Sequence, residues 1–491
     1  MAASRLAALA LLVSACGSTK PSSDAGTSAP RPTPDASHLT DAAHAPDARD
    51  ATPVAAVPLP PELGFVDVPA QETAATYPAR MFYAFRPADD ASSPKPLLVF
   101  YDGGPGAATS ANLLVYGTGP MTLDPVTGVP GPNPASFTRF ANLLYLDERQ
   151  TGFSYGLDSP GPDAGGCTFS ALEDAAEFIR AIGAFLGAHP SLSTAKVVLV
   201  GESYGGTRST AILYLAESAS DMSVSMPGDV RQTLHDHAAQ FGQAVLIQPL
   251  MTADQYAAQQ VLIPQDPYLA NAVICAGGGD GGACPDGAVD NYDVQKPAGW
   301  SDGLENRAGV ALGNAAQSSA LLGADLGTVT DLLPAARANA FRLPGAEVGP
   351  AESSFVAQFG PLSTGDTYWT ADDPTCPSYN PTMDGASDAW IYQVLLQSRL
   401  FITNARYDDV IYTPAIPYVL STEGMTPASI DTSPRAGVAR PGWIHVSIPT
   451  DAGTNDIEIR FPTYVSSGHM VAVTQAADLA DDIEAWLAEA P

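Results

Sequence analysis

Val197-Val-Leu-Val-Gly-Glu-Ser-Tyr-Gly-Gly206 decides how the rest of this chain is read. Its opening run of apolar, mostly β-branched residues predicts a strand covered on both faces, as in a parallel sheet. Gly-x-Ser-x-Gly follows without a break, and the residues from Gly206 to Ala216 continue as a predicted helix. A strand that passes straight into a helix through small residues must turn sharply. The turn holds the intervening serine in a strained conformation, with its hydroxyl at the C-terminal edge of the sheet. The helix N-terminus beside it offers backbone donors to developing negative charge. Ser203 is the candidate nucleophile.

Similar apolar runs recur at Leu97 to Tyr101, Leu143 to Leu146, Ala244 to Ile247 and Leu400 to Thr403. Between the second run and the Ser203 strand, Phe169 to Leu186 places Leu172, Ala176, Ile179, Ile182 and Phe185 at helical spacing, a predicted crossover helix. Trp443 to Ile448 and Ile457 to Phe461 alternate with period two around an Asp-Ala-Gly-Thr-Asn turn, and Ala476 to Leu487 reads as a closing helix. The expected fold class is α/β, with a mostly parallel central sheet and helices on both faces. Residues 252–390, rich in Gly, Ala, Asp and Pro, break this rhythm and read as an inserted cap or lid. The core is then 64–251 and 391–491. No internal repeat is evident.

Charge narrows the function. Among 491 residues, 22 Lys+Arg face 53 Asp+Glu, a net charge of −31. Nucleic acid is held by clustered cations that release its counterions, and this chain has no such cluster. An acidic membrane surface would repel it as well. Hydrophobic residues make up 45% and charged residues 15%, which excludes disorder throughout.

The N-terminus points to export. Arg5, a short apolar run from Leu6 to Val13 and Val13-Ser-Ala-Cys16 form a signal too short to span a bilayer as a mature helix. Its end resembles a bacterial lipobox, which makes Cys16 the lipid-modified first residue of the mature protein. Gly17 rather than Asp after it favours the outer membrane. Residues 17–63, built from Ala, Pro, Ser, Thr and Asp, read as a disordered tether. The remaining cysteines, Cys167, Cys275, Cys284 and Cys376, are expected to form disulfides in an exported chain. Cys275 and Cys284 flank a Gly-rich loop that closes easily, which leaves Cys167 for Cys376 if all four pair. The acidic residues Asp286, Asp290 and Asp293 lack the fixed spacing of an EF-hand loop and read as solvated. No metal or organic cofactor is expected, and no pattern specifies an oligomeric state.

A serine hydroxyl needs an adjacent base. Of the seven histidines, only His469 follows the last strand in a small-residue loop before the closing helix, where such a base belongs. The orienting acid should come from the loop after Leu400 to Thr403. It offers Asp408, the preferred candidate, and Asp409. Gly104 and Tyr204 N–H groups form the candidate oxyanion hole, the first supplied by Asp102-Gly-Gly-Pro-Gly106.

Five segments in order, GGPG at 103–106, Asn133-Pro, ANLLYLDERQTGFSYG at 141–156, GESYGG at 201–206 and FPTYVSSGHMV at 461–471, resemble the serine carboxypeptidase family. The resemblance implies an α/β-hydrolase fold, acyl-enzyme cleavage of peptides and an acidic pH preference. It also implies that Asp102, Gly103 and Glu202 lie where the substrate's terminal carboxylate binds. The chain departs from the family twice: Asp102 stands where members have Asn, and Gly117 where members have a recognition Glu. If Asp102 and Glu202 lie close, one can hold a proton and donate to a carboxylate; if both ionise, they attract an ammonium group. The second option is aminopeptidase logic, and proline iminopeptidases also carry a GGPG loop and a segment similar to Asp147-Glu-Arg149. A third option is that Asp102 merely bonds its own loop. A peptidase is the leading reading, an aminopeptidase or esterase the alternative, and a non-catalytic surface binding protein the rival from another class.

Overall fold

The computed structural model describes residues 60–70, 78–90, 92–104, 107–125, 127–149, 151–156, 170–269, 308, 311–312, 314–325, 327–328, 387–408, 410–422, 425–433, 442–450 and 453–489. Their strands are β1 (Glu62–Val68), β2 (Ala79–Arg86), β3 (Leu97–Tyr101), β4 (Met121–Leu123), β5 (Pro130–Pro132), β6 (Asn142–Leu146), β7 (Tyr155–Gly156), β8 (Val197–Glu202), β9 (Gln243–Ile247), β10 (Arg399–Ile402), β11 (Asn404–Ala405), β12 (Thr426–Asp431), β13 (Trp443–Thr450), β14 (Gly453–Arg460) and β15 (Thr463–Tyr464). One large sheet runs β1-β2-β6-β3-β8-β9-β10-β14-β13-β12, with β7 beside β2. Its centre, from β6 to β14, is parallel, and both flanks are antiparallel.

The continuous apolar runs are explained by burial on both faces. Leu97, Val99 and Tyr101 of β3 belong to one core cluster with Ile179, Ile182 and Ile212, from helices α1 (Ala171–Ala188) and α2 (Gly205–Glu217). Leu98 and Phe100 belong to a second cluster with Ile483 and Trp486 of the closing helix Ala476–Ala488. Alternate side chains of one strand therefore leave water on opposite faces, each worth roughly 1.5–3 kcal/mol when large and apolar. At the start of α1, Ser170 accepts from Glu173 N–H while the Glu173 carboxylate accepts from Ser170 N–H at 2.7 Å, a reciprocal cap.

Three boundaries differ from the sequence expectation. β1 begins at Glu62, so the tether ends before residue 63; β1 alternates only partly, which hid its antiparallel pairing with β2. The cap boundary at 390 falls inside the helix Ser387–Gln397, whose Trp390, Ile391, Val394 and Leu395 all enter the first cluster. Within the region read as a cap, Ala308, Ala311, Leu312, Leu321 and Leu322 join the second cluster. That part of it packs into the core, and the short helix Ala315–Leu322 contributes Leu321 and Leu322 to it. The rest of 252–390 lies mostly outside the described residues, as do Cys16, Cys167, Cys275, Cys284, Cys376, Asp286, Asp290, Asp293 and Asp409.

Candidate active site

Ser203 sits between β8 and α2 with φ at 56°, in the left-handed region that side-chain-bearing residues avoid. Such a conformation costs about 1–3 kcal/mol and persists only when its surroundings impose it. Here Ser203 N–H donates to Ile247 O at 2.9 Å, while Ser203 O accepts from Gly206 N–H and Leu250 N–H, both at 2.9 Å. The loop after β3 presses against this turn. A Cβ on Gly103 would lie 2.6 Å from Tyr204 N and 2.7 Å from Ser203 Cβ, so only glycine fits. Gly104 follows at φ 98°, again a conformation suited to glycine. Gly103, Gly104 and Tyr204 are thus gathered around Ser203.

Residues of the 141–156 segment support that loop. Asp147 accepts from Ser110 N–H at 2.7 Å, Ser110 Oγ at 2.8 Å and Phe153 N–H at 3.0 Å. Burial pushes its carboxyl up to about 6, against those bonds. Thr109 Oγ1 donates to Leu146 O at 2.6 Å and accepts from Asp102 N–H at 3.0 Å. In the first turn of α2, buried Arg208 donates to Asp174 at 2.8 Å, Glu148 at 2.6 Å and the Asp102 carbonyl at 2.7 Å, with its guanidinium 4.2 Å from the Phe178 ring centroid. Arg149 pairs with Glu177 in the same interior. Sequence reading missed this network; its only signal was the presence of charged residues inside otherwise apolar helical and strand-end segments. Arg208→Met would strand Asp174 and Glu148 as buried charges, and a loss of about 3–5 kcal/mol in unfolding free energy is expected. Urea denaturation measures it, and a loss below about 1 kcal/mol, the range of a surface pair, would contradict this account.

Further along the same C-terminal edge of the sheet, the loops carrying the predicted acid and base are joined. β11 and β15 pair in parallel, Asn404 with Thr463 and Ala405 with Tyr464. Arg406 N–H then donates to Tyr464 O at 3.0 Å and Tyr407 N–H to Ser467 O at 3.1 Å. Asp408 and His469 follow directly, with His469 Nδ1 2.8 Å from Asp408 Oδ2. Asp408 is fully buried, and its Oδ1 accepts from Val410 N–H at 2.9 Å and Ile411 N–H at 3.0 Å. Burial by itself would lower the imidazole; the Asp408 carboxylate, followed by Glu202 and Asp102, overrides it and pushes His469 up to about 9. Gln248, at the end of β9, also reaches Asp408 and was not anticipated; its one signal was a polar residue at a strand's C-terminal end.

Asp102 and Glu202 are both buried and within each other's field. Burial raises Asp102, and burial followed by the charge of Asp102 raises Glu202 well above the usual carboxylate range. Asp102 Oδ1 accepts from Gly103 N–H at 2.6 Å, so Asp102 does bond its own loop. Among the described residues, its Oδ2 and Glu202 Oε2 are nevertheless buried without a hydrogen-bond partner. At Gly117, φ is 77° and a Cβ would collide with the carbonyl of Ala472, three residues after His469. No glutamate fits there; backbone occupies its space.

A parallel sheet centre, a strained serine between strand and helix and a buried acid–histidine pair in the chain order Ser, Asp, His together define an α/β-hydrolase fold. In sequence, residues 53–218 are similar to the serine carboxypeptidase family, whose model matches them. Carboxypeptidase sxa2 of Schizosaccharomyces pombe is 34% identical over 126 residues, 26% of this chain and 23% of that protein. Serine carboxypeptidase-like 10 of Arabidopsis thaliana is 29% identical over 157 residues, 30% of this chain and 33% of that protein. The matched stretches thus span about a quarter to a third of these relatives' length. Among solved structures, Kex1(delta)p, a prohormone-processing carboxypeptidase from Saccharomyces cerevisiae, shares the fold with a TM-score of 0.54 at 13% identity, over 87% of this chain and 91% of its own.

Proposed function

We propose that the chain is a serine-type peptidase that works through an acyl-enzyme, with Ser203 as nucleophile, His469 as base and Asp408 as orienting acid. The observation that carries this reading is the 2.8 Å bond between His469 Nδ1 and the buried Asp408, on loops that follow the same sheet edge as Ser203. Ser203 Oγ attacks the scissile carbonyl carbon as its proton passes to His469 Nε2. Gly104 and Tyr204 N–H groups receive the resulting oxyanion. Collapse breaks the C–N bond, and His469 returns the proton to the leaving amine. Water then attacks the ester, gives its proton to His469, and Ser203 is regenerated. Asp408 holds the imidazole in the tautomer this sequence needs and stabilises the imidazolium.

The substrate is a peptide with a free C-terminus. At acid pH the Asp102–Glu202 pair retains a proton, because burial raises both carboxyls and the charge of Asp102 raises Glu202 further. The protonated member donates to the terminal carboxylate. A second reading is favoured by Asp102 itself and by the closed space at Gly117: with both groups ionised, their unpartnered oxygens accept from a substrate ammonium. Peptides blocked at one end separate the two. Amidation of the C-terminus is expected to lower kcat/KM at least about tenfold, the worth of one charge-assisted hydrogen bond, while N-acetylation leaves it unchanged; the reverse pattern would establish the ammonium reading. Asp102→Asn is expected to strengthen the preference for the free carboxylate. Turnover of short acyl esters without peptides would favour an esterase, and failure of a fluorophosphonate to label Ser203 would favour a binding protein. The proposal includes export and lipid attachment at Cys16, supported by the apolar run before it.

A further inference from the structure

Gln248 is fully buried at the end of β9, with φ at 45°. A side chain in that conformation is strained, and the strain has a reason in the bonds the side chain makes. Its Nε2 donates to Asp408 Oδ2 at 2.7 Å, the same oxygen that meets His469 Nδ1. Its Oε1 accepts from Ala405 N–H at 2.8 Å and Thr403 Oγ1 at 3.0 Å, and its own N–H donates to Thr403 Oγ1 at 2.8 Å. The amide is therefore anchored to Thr403 and to Ala405 of β11 at one end and presents its donor to Asp408 at the other. With Val410 and Ile411 N–H on Oδ1, Asp408 accepts four hydrogen bonds, one for each lone-pair site of a carboxylate.

We propose that Gln248 is a positioning residue of the reaction, its side-chain amide fixing the Asp408 carboxylate in the plane and rotation that align His469 with Ser203. The inference rests on the triad reading above. It accounts for both a buried glutamine and a left-handed backbone, neither of which strand packing alone requires. The amide meets Asp408, whose Oδ2 also meets His469; Glu202 and Asp102 are the further charged groups acting on that imidazole, and the neighbouring Thr403 and Ala405 are neutral.

Gln248→Glu tests it in the full chain, because the introduced carboxyl has the same shape and donates to Asp408 only while it holds a proton. The readout is the second-order rate of Ser203 labelling by a neutral fluorophosphonate, divided by the wild-type rate at each pH. This ratio is expected to stay within about threefold of unity at pH 5 and to fall by roughly 10–100-fold by pH 8, the range lost when an outer hydrogen-bond partner of a site is removed. Gln248→Met, which never donates, is expected to show that loss at every pH with peptide KM nearly unchanged. A merely structural role would alter the folded fraction, read by circular dichroism, and leave the ratio flat. A flat ratio for Gln248→Glu with a labelled wild type would overturn this inference alone, whereas an unlabelled wild type would overturn it together with the triad reading.

Discussion

Ser203→Ala is expected to reduce kcat by about 10⁴- to 10⁶-fold, with peptide binding retained, because the residual rate then comes only from the oxyanion donors and substrate placement. His469→Ala should cost about as much, and the double variant little more than either alone, since residues that pass one proton between them act as a unit. The elbow at φ 56° adds a second expectation. Alanine tolerates that conformation no better than serine does, so the loss should appear without a change in thermal midpoint. Steady-state kinetics alongside calorimetry measure both. Retention of more than about a tenth of the wild-type kcat in Ser203→Ala would remove this serine from the chemistry.

The second large effect concerns pH. His469 must be neutral at Nε2 to take the Ser203 proton, yet the carboxylates around it push it up to about 9. Labelling by a neutral fluorophosphonate should therefore climb with pH through the neutral range, with a midpoint near 9. Glu202→Gln removes one of the charges that hold the proton, so the midpoint should fall by about one unit and labelling at pH 7 rise about tenfold. Peptide KM should move the other way, rising with pH as Glu202 loses the proton it donates to a terminal carboxylate. The acid preference implied by the family resemblance then belongs to substrate binding rather than to the base. Stability has the same sign: the raised imidazole stabilises the fold fully below its ordinary value of 6.5, and that contribution is lost as pH rises through about 9. An unchanged labelling midpoint in Glu202→Gln would end this electrostatic account.

Much of this site could be read from local pattern because its makers are local. The turn at Ser203 follows from a strand, small residues and a helix in immediate succession, and His469 from its place between the last strand and the closing helix. Asp408 was legible for the same reason. Gln248 was not, because its bond to Asp408 joins positions 160 residues apart and leaves no periodic trace. Arg208 was equally hidden: a cation near a helix start ordinarily faces water, and only the folded chain shows Glu148 and Asp174 waiting inside. The antiparallel flanks escaped notice in part. β2 went unread: its apolar run from Met81 to Phe85 is buried and pairs antiparallel with β1 and β6.

The short β11–β15 ladder carries a mechanical consequence. Main-chain bonds from residue 404 to residue 407 fasten the segment before Asp408 to the segment before His469, so a thermal opening that parts acid from imidazole must first break this ladder. Amide protons of 406 and 407 would then exchange in concert.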